Sequence, residues 1–297
     1  MTFRQFDAMA KYIDNNQIID QINHCRFFNP RRIPDSFDIE KIGRWLKNGW
    51  NTEFLLRQTP NYFADEDIVY ALQWAFPQAY YSAFALTNAF FTSKSYTCES
   101  HASVIKHCSE HISGGKYPEP ITYWADGGFN SMSTYRVNRM SGETSLAYNP
   151  SDINLVKHQI AQFLTSTRGI NLKKRREDMK NDFRTLKGNK IKKALNSTEW
   201  GRVSNSLGKT SILSMLYRKR IKSNYHDIDS YLAIGLDARE IFHSLIKIVE
   251  TLNLIHEACI LKLIGETRIR NITDSASTNI EFASDRIDHL TSTIFSQ

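Results

Sequence analysis

Four groups of residues have types and spacings suited to chemistry. The largest is a cationic run: between residues 168 and 193 stand eleven basic side chains against Glu177, Asp178 and Asp182, a surplus of +8 in 26 residues. The whole chain carries +7, so everything else sums to −1; extended to Lys222, the segment holds +13 and the remainder −6. A mildly acidic body carries one strongly basic segment. Such a segment neutralises phosphates and releases counterions, which gives affinity for RNA or DNA independent of base sequence. The candidates for holding a phosphate backbone are Lys173, Lys174, Arg175, Arg176, Lys190, Lys192 and Lys193; the competing reading is a solvated helix face. A membrane surface is disfavoured, because Leu172, Met179, Phe183 and Leu186 make only a modest apolar stripe.

The other three groups are incomplete. His107, Cys108 and His111 share one side of a helix, with His101 nearby, but no second His or Cys pair with ligand spacing completes a metal site. No metal and no cofactor is expected. Gly208, Lys209 and Thr210 end like a phosphate-binding loop, yet the position where its first glycine belongs is Val203. Asp227 and Asp229 stand two apart, a spacing that more often caps a turn than holds a cation.

The elements that must position these residues are helical. With 13 Gly and 7 Pro in 297 residues, a many-stranded barrel or sandwich lacks its turn signals, while 41% hydrophobic residues suffice for a sizeable core. Cys25, Cys98, Cys108 and Cys259 form no CxxC pair, which fits a reducing compartment. The N-terminus lacks an apolar signal core, and the most apolar window, residues 70–91, is broken by Gln73, Pro77, Gln78 and Asn88. A cytoplasmic protein with no membrane segment is expected.

Periodicity predicts helices over 3–25, from Phe37 into the fifties, over 65–75 and from Pro77 to about Lys94, the last lying at the centre of a bundle. Another runs from Ser100 or His101 to a stop at Gly114 and Gly115. Residues 116–150 lose the period, and ITYWA or STYRVNRM predicts a small hairpin. Asp152 caps a helix entering the basic stretch, a further helix bends near Asn224, and the longest runs from Asp237 to about Glu266. A weakly helical Ser/Thr-rich tail follows Thr273.

Two of these pieces resemble the HEPN superfamily. AYYSAFALTNAFFTSKSYTCESHASVI, residues 79–105, is similar to its second helix and following turn, and RKRIKSNYHDIDSYL, residues 218–232, to its later Arg, Asn-Tyr and Asp segment. The resemblance implies an all-α, up-and-down bundle, usually dimeric, here with an inserted basic segment. The organisation becomes an N-terminal helical extension (1–60), the first part of the bundle (61–115), an insertion (116–207), the second part (208–270) and a tail (271–297). Many members are metal-independent endoribonucleases of toxin-antitoxin and antiviral defence systems, with a signature of Arg, four to six residues, then His. Among nine histidines only Arg220 with His226 meets it. The resemblance thus makes His226 a general acid or base at the ribose 2′-OH or leaving oxygen, and Arg220 the cation that stabilises the transition state, supported by Asn224 and Tyr225. RNA, a homodimer partner and an antitoxin or other protein partner follow from it. Its alternative is a non-catalytic module for dimerisation, nucleotide binding or partner binding.

Overall fold

Apolar residues at helical spacing become helices that share one core. The computed structural model describes residues 4–14, 18–22, 24–28, 33–98, 100–137, 148–185, 189–225, 237–276 and 280–294. Among them the architecture is mainly α-helical, with one two-stranded sheet. In chain order the helices are α1 (Arg4–Asp14), α2 (Ile18–Ile22), α3 (Ile39–Gln58), α4 (Ile68–Ser93), α5 (His101–Ser113), α6 (Ile153–Asp178), α7 (Ser197–Leu207), α8 (Ile212–Tyr225), α9 (Ala238–Ile264), α10 (Glu266–Asp274) and α11 (Glu281–Ile294). Between α5 and α6, β1 (Trp124–Asp126) pairs antiparallel with β2 (Ser133–Tyr135), and Trp124 stacks on its partner Tyr135 at 3.8 Å. This is the expected hairpin. No helix among the described residues is long and apolar enough to cross a membrane.

The centre of the bundle is α4, with α3, α9, α8 and α5 packed around it. The consecutive residues Ala85, Leu86, Thr87, Asn88, Ala89, Phe90 and Phe91 are all buried, on every side of this part of the helix, as a helix surrounded by others requires. Gly49 of α3 makes the close approach possible: a Cβ there would lie 2.0 Å from Leu86 Cδ2. The chain before α4 joins the same core, for Phe6, Met9, Ile42, Leu46 and Trp50 are fully buried with it.

Three local expectations are revised. The two helices expected over 65–75 and from Pro77 are one, α4, with Pro77 inside it. A proline there forfeits one backbone bond and costs about 3 kcal/mol; burial of Leu72, Ala75, Phe76, Ala79 and Tyr80 on both sides of it outweighs that cost. In place of the single helix expected over 3–25, the described residues form two, Arg4–Asp14 and Ile18–Ile22; residues 15–17 between them lie outside the described residues. The tail contains a full helix, α11, which buries Ala283, Ile287 and Leu290.

Asp152 caps α6 by accepting the Asn154 amide at 2.8 Å, and Asp237 caps α9 through the Arg239 amide, also at 2.8 Å. The C-terminal half of α6 leaves the main core and builds a smaller one, in which Met132, Leu172, Phe183 and Val203 are covered by Met179, Leu195, Trp200 and Leu207. Leu172, Met179 and Phe183 of the basic segment's apolar stripe therefore face α7 and the hairpin, while Leu186 lies outside the described residues.

Candidate nucleic-acid interface

The basic segment divides into a buried scaffold and an exposed face. Arg168 belongs to the scaffold and is fully buried. Its guanidinium donates to the carbonyls of Gly127 and Gly208, both at 2.8 Å, to Ser204 Oγ at 2.8 Å and to Asp126 Oδ1 at 3.2 Å. One side chain thus ties α6 to β1, to α7 and to the start of α8. Gly208 serves this knot with φ +74° and ψ −158°, a conformation open to glycine. Thr210 then exchanges backbone hydrogen bonds with Ala125 at 2.8 and 3.0 Å, and Lys209 forms an ion pair with Asp126. Burial pushes the Asp126 pKa up, but the Lys209 hydrogen bond and nearby charges leave it below the usual range. The residues that end like a phosphate-binding loop therefore close a structural joint.

Above this joint lies a cleft of about 470 Å³ between α5, α6, α7 and α8, and Lys106, Lys174, Arg175 and Lys209 bring four cations to its lining against one acid, Asp178. A larger hollow of about 710 Å³ lies beside α1 and α9, but Arg4, Lys11 and Lys247 are matched there by Asp7, Asp237 and Glu240. Of these two hollows, the smaller has the surplus of positive charge in its lining that would attract a polyanion.

The candidate phosphate ligands are thus separated. Lys174 and Arg175 line the cleft, and Arg175 Nε donates to Ser206 Oγ at 2.9 Å. Lys173 turns instead toward Phe129, its Nζ 5.6 Å from the ring centroid. Arg176 donates to the carbonyls of Lys192 and Lys193 at 3.2 and 2.6 Å, fastening the following loop to α6. Lys192 pairs with Glu199 at 2.6 Å, while Lys190 and Lys193 are exposed on that loop.

At the edge of the cleft is a cluster of aromatic and basic groups. Tyr217 of α8 lines the cleft and stacks on His101 of α5, ring centroids 6.0 Å apart and planes 25° apart. The guanidinium of Arg220, one turn along α8, lies 5.0 Å from the Tyr81 ring centroid and 5.8 Å from that of Tyr217, and donates to the Tyr81 hydroxyl. Its Nε is buried without a hydrogen-bond partner. Tyr80 Oη is hydrogen-bonded to His101 Nδ1 at 2.8 Å. Burial, helped by the Arg220 charge, pulls the His101 pKa down, and burial pushes the Tyr80 phenol far up. The segments 79–105 and 218–232 therefore meet at Arg220. His226 lies outside the described residues, as do the side chains of Asn224 and Tyr225 and the pair Asp227 and Asp229.

The residues near 107 do not converge: Cys108 is buried toward Tyr117, His111 packs edge-on against Phe27 at 4.6 Å, and His107 is exposed beside Glu110. Among the described residues no three His, Cys, Asp or Glu side chains are grouped to hold a metal ion. Sequence reasoning missed Lys106, Tyr81 and Tyr217 as members of the site. The available signal was the three-residue spacing of Tyr217 and Arg220, which puts both on one face of a helix. The chain matches no protein-family profile, no curated protein and no solved structure.

Proposed function

We propose that this chain is a HEPN-like RNA-binding protein that cuts RNA without a metal ion. The observation that carries the reading is the meeting of the two HEPN-like segments, through Tyr80, Tyr81, His101, Tyr217 and Arg220, at the edge of a cleft with surplus cations. The packing of α9 along α4 supports it as well, since a HEPN-type bundle needs those two helices together. In this reading the backbone of a single strand lies along Lys106, Lys174, Arg175 and Lys209. Arg220 stabilises the charge that builds on phosphorus when the 2′-oxygen attacks, and His226 transfers a proton. A homodimer that brings two such sites together, a protein antitoxin that covers the cleft and a cytoplasmic location belong to the same proposal.

One observation favours a second reading, a non-catalytic HEPN-type binding module. The Arg220 guanidinium is already engaged by the Tyr81 hydroxyl and by two tyrosine rings, as a structural arginine would be.

Cleavage of a labelled RNA pool in EDTA separates the two, with wild type beside Arg220→Ala and His226→Ala. Cutting that both substitutions abolish, with RNA still bound, supports the nuclease; binding without cutting supports the module. Binding also has a salt signature. Four phosphate contacts on a single strand give a log–log slope of about −3, so a fourfold rise in salt weakens binding roughly fiftyfold. Replacing Lys174 and Arg175 together by alanine is expected to remove about half of that slope. A flat salt dependence would exclude the cleft as a backbone site.

A further inference from the structure

Cleavage through the ribose 2′-OH needs two proton transfers, one from the attacking hydroxyl and one to the leaving oxygen, and a single histidine supplies only one of them. We infer that His101 is a second proton-transfer group of this site, its Nε2 taking the proton from the 2′-OH of the RNA. The inference rests on the nuclease reading above. In the step, the 2′-oxygen forms a bond to phosphorus, the bond from phosphorus to O5′ breaks, and O5′ leaves with a proton, the transfer assigned above to His226. The products are a 2′,3′-cyclic phosphate and a 5′-hydroxyl, and the imidazolium returns its proton to solvent.

Four observations support this role. His101 is the first residue of α5, where a reciprocal cap fixes the backbone: Ser103 N donates to Ser100 Oγ at 3.2 Å and Ser100 N to Ser103 Oγ at 3.1 Å. The ring is packed against aromatic neighbours, with the Phe84 centroid at 4.4 Å and the Tyr217 centroid at 6.0 Å. Its Nδ1 is occupied by the Tyr80 hydroxyl, while Nε2 has no partner among the described residues. The role requires the tautomer in which Nδ1–H donates to the phenol oxygen and Nε2 carries the lone pair. Lastly, the next two residues, Ala102 and Ser103, line the cleft together with Tyr217. The titratable groups facing the ring are Tyr80 and Tyr81 from α4 and Tyr217 and Arg220 from α8; none is an acid that would hold the imidazole protonated. The ring is therefore a neutral base near pH 7. Arg220, on the same tyrosines, is placed to meet the phosphate whose sugar His101 would deprotonate.

The test is the pH–rate profile of RNA cleavage in EDTA for wild type, His101→Gln and Tyr80→Phe, with binding measured for each. His101→Gln is expected to bind RNA within about twofold of wild type, to cut a hundredfold or more slowly, and to lose the acid limb of the profile. Tyr80→Phe keeps the buried ring and frees Nδ1, and is expected to cut several-fold more slowly with a displaced acid limb. It decides the question alone if His101→Gln does not fold. Cutting at the wild-type rate with an unchanged profile, in His101→Gln or, where that variant is unfolded, in Tyr80→Phe, overturns the role and leaves His101 a packing residue. Absence of cutting by wild type overturns the nuclease reading itself, and this role with it.

Discussion

Arg286 enters the core from α11 and finds two carboxylates that are fully buried, Glu53 of α3 and Glu257 of α9. It donates to Glu53 at 2.8 and 3.0 Å and to Glu257 twice at 2.6 Å. Arg57 and Asn253 add bonds of 2.7 Å to Glu53, and Trp50 Nε1 adds one of 2.7 Å to Glu257. Substitution of Arg286 by methionine fills much of the volume and leaves Glu257 with one donor in an apolar interior. Removing one partner of a buried ion pair costs about 3 to 5 kcal/mol. An independent route gives a similar figure. Burial would push Glu53 up, yet the Arg286 guanidinium, with help from Arg57, holds it at about 2 against an ordinary 4.5; at about 1.4 kcal/mol per unit that shift is worth roughly 3 kcal/mol. Because the folded value is depressed, this stability is present above pH 4.5 and is lost as pH falls toward 2. Glu257, raised by burial against the pull of Arg286, has the opposite sign: its contribution is present at low pH and fades as pH rises through its folded value. Urea unfolding followed by circular dichroism at pH 7 should register the loss, with Glu257→Gln in the Arg286→Met background recovering part of it. A loss under about 1 kcal/mol, the worth of one ordinary hydrogen bond, would refute the reasoning. So would a variant whose stability falls with acid between pH 4.5 and 2 as steeply as the wild type's.

Arg168→Met should cost about 3 kcal/mol or more by leaving buried carbonyls unpaired, and limited proteolysis should find α7 cut early, because the knot with Gly208 and Ser204 is gone. Arg176→Ala should cost about 1 kcal/mol by freeing the loop at Lys192 and Lys193. Lys190→Ala with Lys193→Ala should leave stability unchanged and, if the loop touches RNA, lower the salt slope by about 1.4; equal melting of the Arg176 and Lys190/Lys193 variants would contradict this division.

The legible part of the fold was the part governed by local signals. Asp152 and Asp237 mark helix starts because a carboxylate satisfies free amides wherever it precedes an amphipathic run, and Gly114 and Gly115 mark a stop for equally local reasons. Pro77 misled because its cost is local while the burial that outweighs it comes from helices distant in sequence. The tail misled for the opposite reason: Ser and Thr weaken its intrinsic preference, and nothing nearby announces that Arg286 has partners 233 and 29 residues away. A faint signal did exist. Glu53 stands between Trp50 and Leu56 on the buried face of α3, and Glu257 lies in the apolar stripe of α9. An acid at such a position implies a cation elsewhere in the chain, though not which one.

The candidate site was legible as a charge surplus and illegible as a geometry, and the chemistry of the two cations explains why. Each arginine between residues 168 and 222 has a partner within the protein: Arg168, Arg175, Arg176, Arg184, Arg218 and Arg220 donate to oxygens, and Arg202 lies over the Phe183 ring at 5.3 Å. Lys174, Lys190 and Lys193, by contrast, have no partner among the described residues. A guanidinium is weakly hydrated and offers five donors in a plane, so it can knit carbonyls from several elements at small desolvation cost; an ammonium is strongly hydrated and stays in water unless a carboxylate meets it. Lys192 and Lys209 obey the second half of that rule through Glu199 and Asp126. A basic run therefore divides by residue type, its arginines building the scaffold and its unpaired lysines left for a polyanion. Two cations of the segment do both: Arg175 donates to Ser206 and Lys209 pairs with Asp126, and each also lines the cleft. Their loss should alter the shape of the cleft and its charge together.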